Sequence, residues 1–287
     1  FNFIGRKNIF FCISAVLILI GIAAVSVNGA RGKGMFNYGL DFKGGTSTTV
    51  TFNQDYSQAE IESTIIPDIV AAIGDSSVQQ QKVQGGNDVV FKTNNLSVEQ
   101  REALEALLTS KYGVEQSSIL TENISGAVSN EMKTDAVVAV IIATICMLIY
   151  IWFRFKDIRF AGSAVLALLH DVLVVAGFYA VARITLGNTF IACMLTIVGY
   201  SINATIVIFD RIRENLGQMS KANLAEIVNT SISQTMRRSV YTTLTTFVMV
   251  VILFILGVSA IREFAAPLMV GIICGGYSSV CITSALW

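Results

Sequence analysis

Six long apolar runs mark the chain, and one long polar stretch separates the first run from the second. The runs cover residues 9–27, 136–153, 161–182, 190–209, 240–258 and 265–287. Each is close to the ~20 residues that a helix needs to cross a hydrocarbon core of about 30 Å. We therefore predict six transmembrane helices, called span 1 to span 6 in chain order. Span 1 is too long and too uniformly apolar for a signal-peptide core, so we expect it to be retained.

The polar stretch, residues 29–134, contains alternating strand and helix signals. Strands are predicted at 46–52, 78–83, 89–93 and 117–124, and helices at 57–73 and 97–112. Each helix opens with a serine that is followed three residues later by Glu or Gln, the signature of a capping box. The order β-α-β-β-α-β is that of the split βαβ, ferredoxin-like fold. We therefore predict a polytopic α-helical membrane protein with one α+β ferredoxin-like domain.

The predicted organisation has three parts. Residues 1–28 hold the N-terminus and span 1, residues 29–134 form the ferredoxin-like domain, and residues 135–287 hold spans 2–6. A cytoplasmic loop, 210–238, is expected between spans 4 and 5.

Composition agrees with lipid as the solvent for much of the chain. Hydrophobic residues make up 53% and charged residues 14%, with a mean hydropathy of +0.64. Soluble domains carry about 25% charged residues. The formal net charge is zero, and we expect no nucleic-acid partner.

The distribution of Lys and Arg predicts the orientation in the membrane. Ten of them lie in the segments that should share one side: Arg6, Lys7, Arg154, Lys156, Arg159, Arg211, Arg213, Lys221, Arg237 and Arg238. The short segments on the other side hold only Arg183 and Arg262. The positive-inside rule makes the ten-charge side cytoplasmic, so both termini are expected inside. The stretch 29–134, with a net charge of −5, is then extracytoplasmic.

Polar side chains interrupt three of the spans. They are His170 and Asp171 in span 3, Thr196, Tyr200 and Asn203 on one face of span 4, and Arg238, Thr242 and Thr245 on one face of span 5. Spans 1 and 6 are expected to have almost no strongly polar side chains. An ionisable group at mid-membrane costs about 2.5–3.5 kcal/mol and so faces a partner or water.

We therefore expect a polar seam among spans 3, 4 and 5. It is interpreted either as a path for cations or protons, or as interhelical hydrogen bonding that packs the bundle. For Arg238 the alternative is a side chain that extends to the cytoplasmic interface.

The remaining chemistry is sparse. The five cysteines, Cys12, Cys146, Cys193, Cys274 and Cys281, all lie in apolar runs, and no CxxC or Cys/His metal spacing is present. The sequence also contains no HExxH, GxSxG or GxxxxGK[ST] motif. We therefore expect no metal site, no cofactor and no enzymatic activity, and energy must come from an ion gradient or a partner.

Four motifs together resemble the SecF family, the smaller half of the SecDF protein-export complex in the resistance-nodulation-division (RND) superfamily. They are YGLDFKGGT at 38–46, LHD at 169–171, IVGYSINATIVIFDRIREN at 197–215 and RSVYTTLTTF at 238–247. The motif positions that the resemblance marks as structural are Asp41, Gly44, Gly45, Gly199, Tyr200, Asp210 and Arg211.

The resemblance implies a role in protein export. It implies a subunit of the bacterial cytoplasmic (inner) membrane that pairs with SecD beside the SecYEG channel, together with a YajC-like small membrane subunit. Such a complex uses the proton gradient, or sodium in some relatives, to pull exported unfolded chains outward. The resemblance assigns ion movement to Arg238. Our other candidates for ion coupling are Asp171, Asn203, His170 and Thr242.

The chain departs from the family pattern at one position. The pattern reads Gly-Tyr-Ser-x-Asn-Asp, whereas this chain has Ala204 in place of the final carboxylate. Alanine cannot bind a proton, so the principal carrier is expected to be an aspartate of SecD, or Asp171 here. The alternatives are a half-size RND-type exporter of small molecules or lipids, and a passive scaffold subunit.

Overall fold

The computed structural model describes residues 2–32, 34–82, 86–219, 223–257 and 259–287. The chain divides into two units. We call Phe1–Asn37 together with Val137–Trp287 the membrane unit, and Tyr38–Ala136 the polar unit.

The described residues contain six helices that are long and apolar enough to cross a membrane, which confirms the six predicted spans. They are Lys7–Ala30, Gly126–Phe155, Ile158–Ala182, Asn188–Gln218, Leu224–Leu256 and Ser259–Ser278. A 3₁₀ turn, Ile4–Arg6, precedes span 1. Span 6 continues through a π-helical turn, Ser279–Thr283, into Ser284–Leu286.

The polar unit follows the order β-α-β-β-α-β. Its elements are β1 (Gly45–Thr51), α1 (Gln58–Glu60, Ile61–Ile65 and Ile66–Ile73 in succession), β2 (Gln79–Lys82), β3 (Asp88–Thr93), α2 (Val98–Tyr112) and β4 (Ile119–Ile124). The strands form one antiparallel sheet in the order β2-β3-β1-β4. Three further short elements are Asn37–Tyr38, Leu40–Lys43 and Thr185–Leu186.

Local signals explain where the two helices begin and end. Ser57 and Ser97 both form complete capping boxes, with Glu60 and Gln100 respectively. Gly113 closes α2 in the left-handed conformation, at φ 63°. The apolar faces that these helices present are buried in a common core with the sheet, which includes Phe52, Phe91, Ile61, Ile65, Leu104 and Leu108.

One predicted element of the polar unit differs from the structure, and one lies partly outside the described residues. The strand predicted at 117–124 begins at Ile119, because residues Gln116–Ser118 form a 3₁₀ turn that Ser118 closes on the carbonyl of Glu115. The turn predicted between β2 and β3 includes Gln84 and Gly85, which lie outside the described residues.

Spans 3, 4 and 6 form the interior of the membrane unit. Within their most apolar windows 56%, 44% and 67% of residues are buried, against 11%, 6% and 6% for spans 1, 2 and 5. Small residues allow the close contacts. Cβ atoms built on Gly271 and Gly275 of span 6 would lie 2.2 Å from Ile197 and 3.1 Å from Ser201 of span 4. Helix association in lipid relies on such packing, because lipid tails are as apolar as the side chains.

The segment assigned to a cytoplasmic loop, 210–238, is mostly helical. Span 4 continues to Gln218 and span 5 starts at Leu224, while 220–222 lie outside the described residues. Side-chain hydrogen bonds join the two helix ends, since Asn215 donates to Ser231 at 2.7 Å. Such polar contacts stabilise the helix ends although they do not raise the hydropathy. They explain why spans 4 and 5 extend beyond the apolar runs from which they were predicted.

Candidate functional site

Asp171 lies at the centre of the membrane unit and is fully buried. Span 3, which carries it, packs against spans 1, 4 and 6. His170 Nδ1 lies 2.9 Å and Cys274 Sγ 3.2 Å from Asp171 Oδ1. The hydroxyls of Ser201 and Ser278 donate to Oδ2 at 2.6 and 2.7 Å. We call these five residues the Asp171 cluster.

The Asp171 cluster satisfies both carboxylate oxygens within this chain. An ionised carboxylate can accept about four hydrogen bonds, and four groups surround Asp171. Among the described residues, its only basic neighbour within ion-pair distance is His170. The cluster can therefore hold a buried anion and link three spans, because its members come from spans 3, 4 and 6.

Span 1 reaches the edge of this cluster through Tyr277 of span 6. The Tyr277 ring lies 6.3 Å from the His170 ring, centroid to centroid. Its hydroxyl donates to the carbonyl of Phe10 at 2.7 Å and lies 3.4 Å from Ser14 Oγ. Polar contacts thus also join span 6 to span 1, beside the Asp171 cluster.

A second polar site lies between spans 4 and 5. It is a cleft of about 100 Å³ lined by Tyr200, Asn203, Ala204, Val207, Arg238, Ser239, Thr242 and Thr243. The Tyr200 hydroxyl donates to Thr243 Oγ1 at 2.8 Å. We call this the Arg238 cleft.

The Arg238 cleft opens to the surface of the chain. Arg238 and Asn203 are both exposed. No carboxylate of the described residues lies within ion-pair distance of Arg238. The neighbouring Arg237 differs, because its guanidinium lies over the Tyr241 ring at 5.5 Å. The cleft can therefore accept an acidic group from outside the chain.

The structure divides the predicted polar seam into these two sites. Asp171 and His170 belong to the first, whereas Arg238, Asn203 and Thr242 belong to the second. No hydrogen bond or ion pair joins the two groups within the described ranges. Outside both sites, Thr196 and Thr245 donate to backbone carbonyls of their own helices, at 2.7 and 2.9 Å. Thr242 does the same toward the Arg238 carbonyl, at 2.9 Å.

Span 6 has almost no strongly polar side chains, yet two of its small, weakly polar residues contact Asp171. Cys274 and Ser278, one helical turn apart, complete the Asp171 cluster. Serine and cysteine change the mean hydropathy of an apolar run very little, so hydropathy alone does not reveal these two polar groups. Their i, i+4 spacing on one face was the available signal.

The sequence also offered no metal spacing, yet the fold assembles three metal-ligand types. Ligand atoms of His170, Asp171 and Cys274 all lie within 4.8 Å of one another, and all three residues are buried. Cys274 comes from another helix, 103 residues beyond Asp171. Only the tertiary packing of spans 3 and 6 brings it there.

The motif residues near the N-terminal end of β1 have backbone roles. Gly44 and Gly45 have φ values of 75° and 141°. A Cβ on Gly44 would lie 3.2 Å from the Ile124 carbonyl and 3.3 Å from Gly126. Glycine is therefore required where the chain turns into the sheet. Asp41 lies in the short helix Leu40–Lys43 just before this turn.

The motif residues of span 4 lie along its length. A Cβ on Gly199 would meet nothing within 4 Å, so this glycine does not mediate a close helix contact. Asp210 pairs with Arg154 at 2.8 Å. Arg211 binds Glu214 at 2.5 Å and Gln234 at 2.6 Å. These two charged residues fasten the polar end of span 4 to spans 2 and 5.

Comparison with known proteins relates nearly the whole chain to protein export. Residues 104–287 match the family described as protein export membrane protein SecD/SecF, C-terminal. Residues 36–55 match the SecD/SecF GG motif. A protein translocase subunit SecF from Acidaminococcus fermentans is 36% identical over 100% of this chain and 96% of its own length. One from Desulfurispirillum indicum is 34% identical over 96% and 88%.

Longer proteins match as well. A protein translocase subunit SecDF from Thermus thermophilus is 37% identical over 100% of this chain and 38% of its own length. A crystal structure of SecDF from that organism, described as a translocon-associated membrane protein, matches with a TM-score of 0.83 at 36% identity. The chain spans 38% of the length of the chain in that structure.

Proposed function

The chain belongs to the SecD/SecF family of protein export membrane proteins, and on this premise we propose that it acts as an ion-driven SecF subunit. In this proposal it pairs with SecD beside the SecYEG channel, with a YajC-like subunit, and promotes the export of unfolded chains. It needs no cofactor and catalyses no covalent reaction. A SecDF protein that matches the whole chain over part of its own length supports SecD as the companion.

The open Arg238 cleft is the observation that carries this proposal. A guanidinium stays charged at any physiological pH, and charged groups beside hydrocarbon pair with one another or face water. Arg238 has no acidic partner within the described part of its own chain. The cleft is also lined by Ala204, where the family pattern has a carboxylate. An aspartate of the companion subunit would supply the missing charge.

Protonation of that companion aspartate would provide the coupling step. At an effective dielectric constant of about 20, a charge pair at about 4 Å is worth about 4 kcal/mol. Neutralising the carboxylate removes this attraction and can shift the populations of two arrangements of spans 4 and 5. Asp171 is less suited to the role, because its oxygens are already engaged by four groups of its own chain.

We also propose a location for each part of the chain. The membrane unit would lie in the bacterial cytoplasmic membrane with both termini inside, as the Lys and Arg distribution favours. The polar unit would be an extracytoplasmic ferredoxin-like domain. Its β-α-β-β-α-β order and its antiparallel β2-β3-β1-β4 sheet support that fold.

Replacing Arg238 tests the proposal against a passive scaffold. Complexes that contain Arg238→Ala or Arg237→Ala are purified by way of SecD and reconstituted with SecYEG, and proton flux and preprotein export are measured. We expect both variants to assemble, while only Arg238→Ala loses flux and export by an order of magnitude or more. Arg237 is the matched control because it is the adjacent residue and its guanidinium already lies over the Tyr241 ring.

Two results would contradict ion coupling through Arg238. Normal export by an assembled Arg238→Ala complex would leave a scaffold role. Normal export together with lost efflux of a small apolar compound would favour the half-size exporter. An open apolar cleft of about 460 Å³ between spans 5 and 6, lined in part by Phe247 and Ile273, would suit that alternative. Proton flux through an Asp171→Asn complex completes the set, and we expect flux to persist.

A further inference from the structure

We propose that His170, Asp171 and Cys274 form a binding site for one Zn²⁺ ion, or for a divalent cation of similar softness, inside the membrane unit. The three residues offer one imidazole, one carboxylate and one thiol. Each is a type of zinc ligand. All three are at least nine-tenths buried, so the site would be closed to bulk water.

The spacing of the three ligand atoms is close to that of a tetrahedral zinc site. His170 Nδ1 lies 2.9 Å from Asp171 Oδ1, Cys274 Sγ lies 3.2 Å from the same oxygen, and Sγ lies 3.9 Å from Nδ1. Zinc bonds of about 2.0 Å to N and O and about 2.3 Å to S place tetrahedral ligand atoms about 3.3–3.6 Å apart. Shifts of a few tenths of an ångström would therefore complete the triangle.

Charge balance favours a cation at this position. One imidazole, one carboxylate and one thiolate together carry two negative charges, which a divalent cation balances. Binding of Zn²⁺ would displace the proton of the Cys274 thiol, which leaves to solvent, and would select the His170 tautomer whose proton is on Nε2. The sum of Zn²⁺, carboxylate, thiolate and neutral imidazole is zero. Net charge in a low-dielectric interior is costly, so this neutralisation supports binding.

The surrounding groups hold the ligands in place. Ser201 and Ser278 donate to Asp171 Oδ2, which leaves Oδ1 directed at His170 and Cys274. Such hydrogen bonds to a ligating carboxylate orient it toward the metal. The His170 Nε2 atom is buried without a hydrogen-bond partner among the described residues, so the Nδ1 side alone fixes the ring.

A metal here would join span 3 to span 6. Its two anionic ligands, Asp171 and Cys274, are on different helices. Three protein ligands leave a fourth position, which a neutral water molecule or a serine hydroxyl group would fill. The enclosed setting assigns the ion a structural role in the bundle, separate from the ion coupling proposed at the Arg238 cleft.

Metal analysis of the full chain, purified in detergent with and without its companion subunit, tests the site. Wild type, Cys274→Ser and Cys281→Ser are expressed in medium that contains zinc, and their metal content is measured by mass spectrometry. We expect about one Zn²⁺ per chain in wild type and Cys281→Ser, and at least a tenfold loss in Cys274→Ser. Cys281 is the matched control because it is a buried thiol of the same span that lies outside the trio.

A spectroscopic readout covers the case in which a variant lowers the yield. Wild type from cobalt-supplemented cells is expected to show a thiolate-to-Co²⁺ charge-transfer band, which is absent in Cys274→Ser and in His170→Gln but present in Cys281→Ser. Wild type without bound metal would overturn the proposal. So would metal content and spectra that Cys274→Ser leaves unchanged. Neither result bears on export activity.

Discussion

Gly21 of span 1 and Gly177 of span 3 meet backbone to backbone. A Cβ built on Gly21 would lie 2.7 Å from the Gly177 Cα, and one built on Gly177 would lie 2.9 Å from the Gly21 Cα. Real Cβ atoms do not approach other atoms so closely. The contact therefore holds span 1 against the interior of the membrane unit, and any side chain at either position must separate the two helices.

Gly177→Ala should destabilise the membrane unit. The added methyl group overpacks the crossing, and overpacking typically costs about 1–3 kcal/mol. The expected result is a lower midpoint of thermal unfolding for the detergent-purified chain. Gly162→Ala is the control on the same span, because its Cβ would meet nothing within 4 Å. Equal midpoints for the two variants would contradict the close contact.

Gly44→Ala should weaken the start of β1 in the polar unit. At φ 75° a residue with a Cβ is strained, and the left-handed conformation costs roughly 1–2 kcal/mol. We expect faster amide hydrogen exchange across Gly45–Thr51. Gly86→Ala should leave exchange unchanged, since its Cβ would approach other atoms only to 3.9 Å. Unaltered exchange in Gly44→Ala would show that the turn tolerates a side chain.

Ser278→Ala should destabilise the Asp171 cluster. The variant removes a hydrogen bond to a buried carboxylate, and such bonds contribute about 1.5–3 kcal/mol. We expect a lower unfolding midpoint than for Ser163→Ala, a control that removes another buried hydroxyl of the membrane unit. Ser163 donates only to backbone carbonyls of its own helix. An equal or larger loss for Ser163→Ala would contradict a special contribution of the hydrogen bond from Ser278 to Asp171.

Asp68→Asn should change the acid sensitivity of the polar unit. Hydrogen bonds from Lys111 and Tyr112 lower the pKa of Asp68 below its usual value. A carboxylate whose pKa is lower in the folded state stabilises the fold above its unfolded pKa, and this stabilisation is lost as the pH falls through the folded pKa.

The measurement is hydrogen exchange of α1 and α2 at a series of pH values. Wild type should be more protected than Asp68→Asn near neutral pH. The difference should shrink below about pH 4, the ordinary pKa of an aspartate. Glu102→Gln, which changes an exposed carboxylate on α2, controls for the loss of one negative charge. A difference between wild type and Asp68→Asn that does not vary with pH would rule out this explanation.

Signals that lie within a few residues of each other predicted much of the fold. Ser57 with Glu60 and Ser97 with Gln100 predicted both helix starts in the polar unit, because a capping box needs only four consecutive residues. The six spans were also predicted from local sequence, because each corresponds to one continuous apolar run. The strand expected from residue 117 was displaced to Ile119 by a 3₁₀ turn that its composition does not reveal.

The candidate sites depended on contacts that no local pattern contains. Asp171 was singled out because a carboxylate is rare in an apolar run, but its partner Cys274 is contributed by a different helix. The seam assigned to spans 3, 4 and 5 treated all polar groups as one set. Packing instead turned Arg238 to the surface and Asp171 to the interior. The rotation of each helix about its axis determines which of its polar side chains face the interior and which face the surface.

The π-helical turn at Ser279–Thr283 sets the phase of the last part of span 6. There the side-chain hydroxyls of Thr283 and Ser284 donate to backbone carbonyls five residues back, at 3.1 and 3.2 Å. Such a turn holds one residue more than an α-helical turn. Deleting one residue there would let the downstream part regain α-helical phase without rotating the face that bears Cys274 and Ser278. Among possible single-residue deletions in this helix, evolution should tolerate that one most readily.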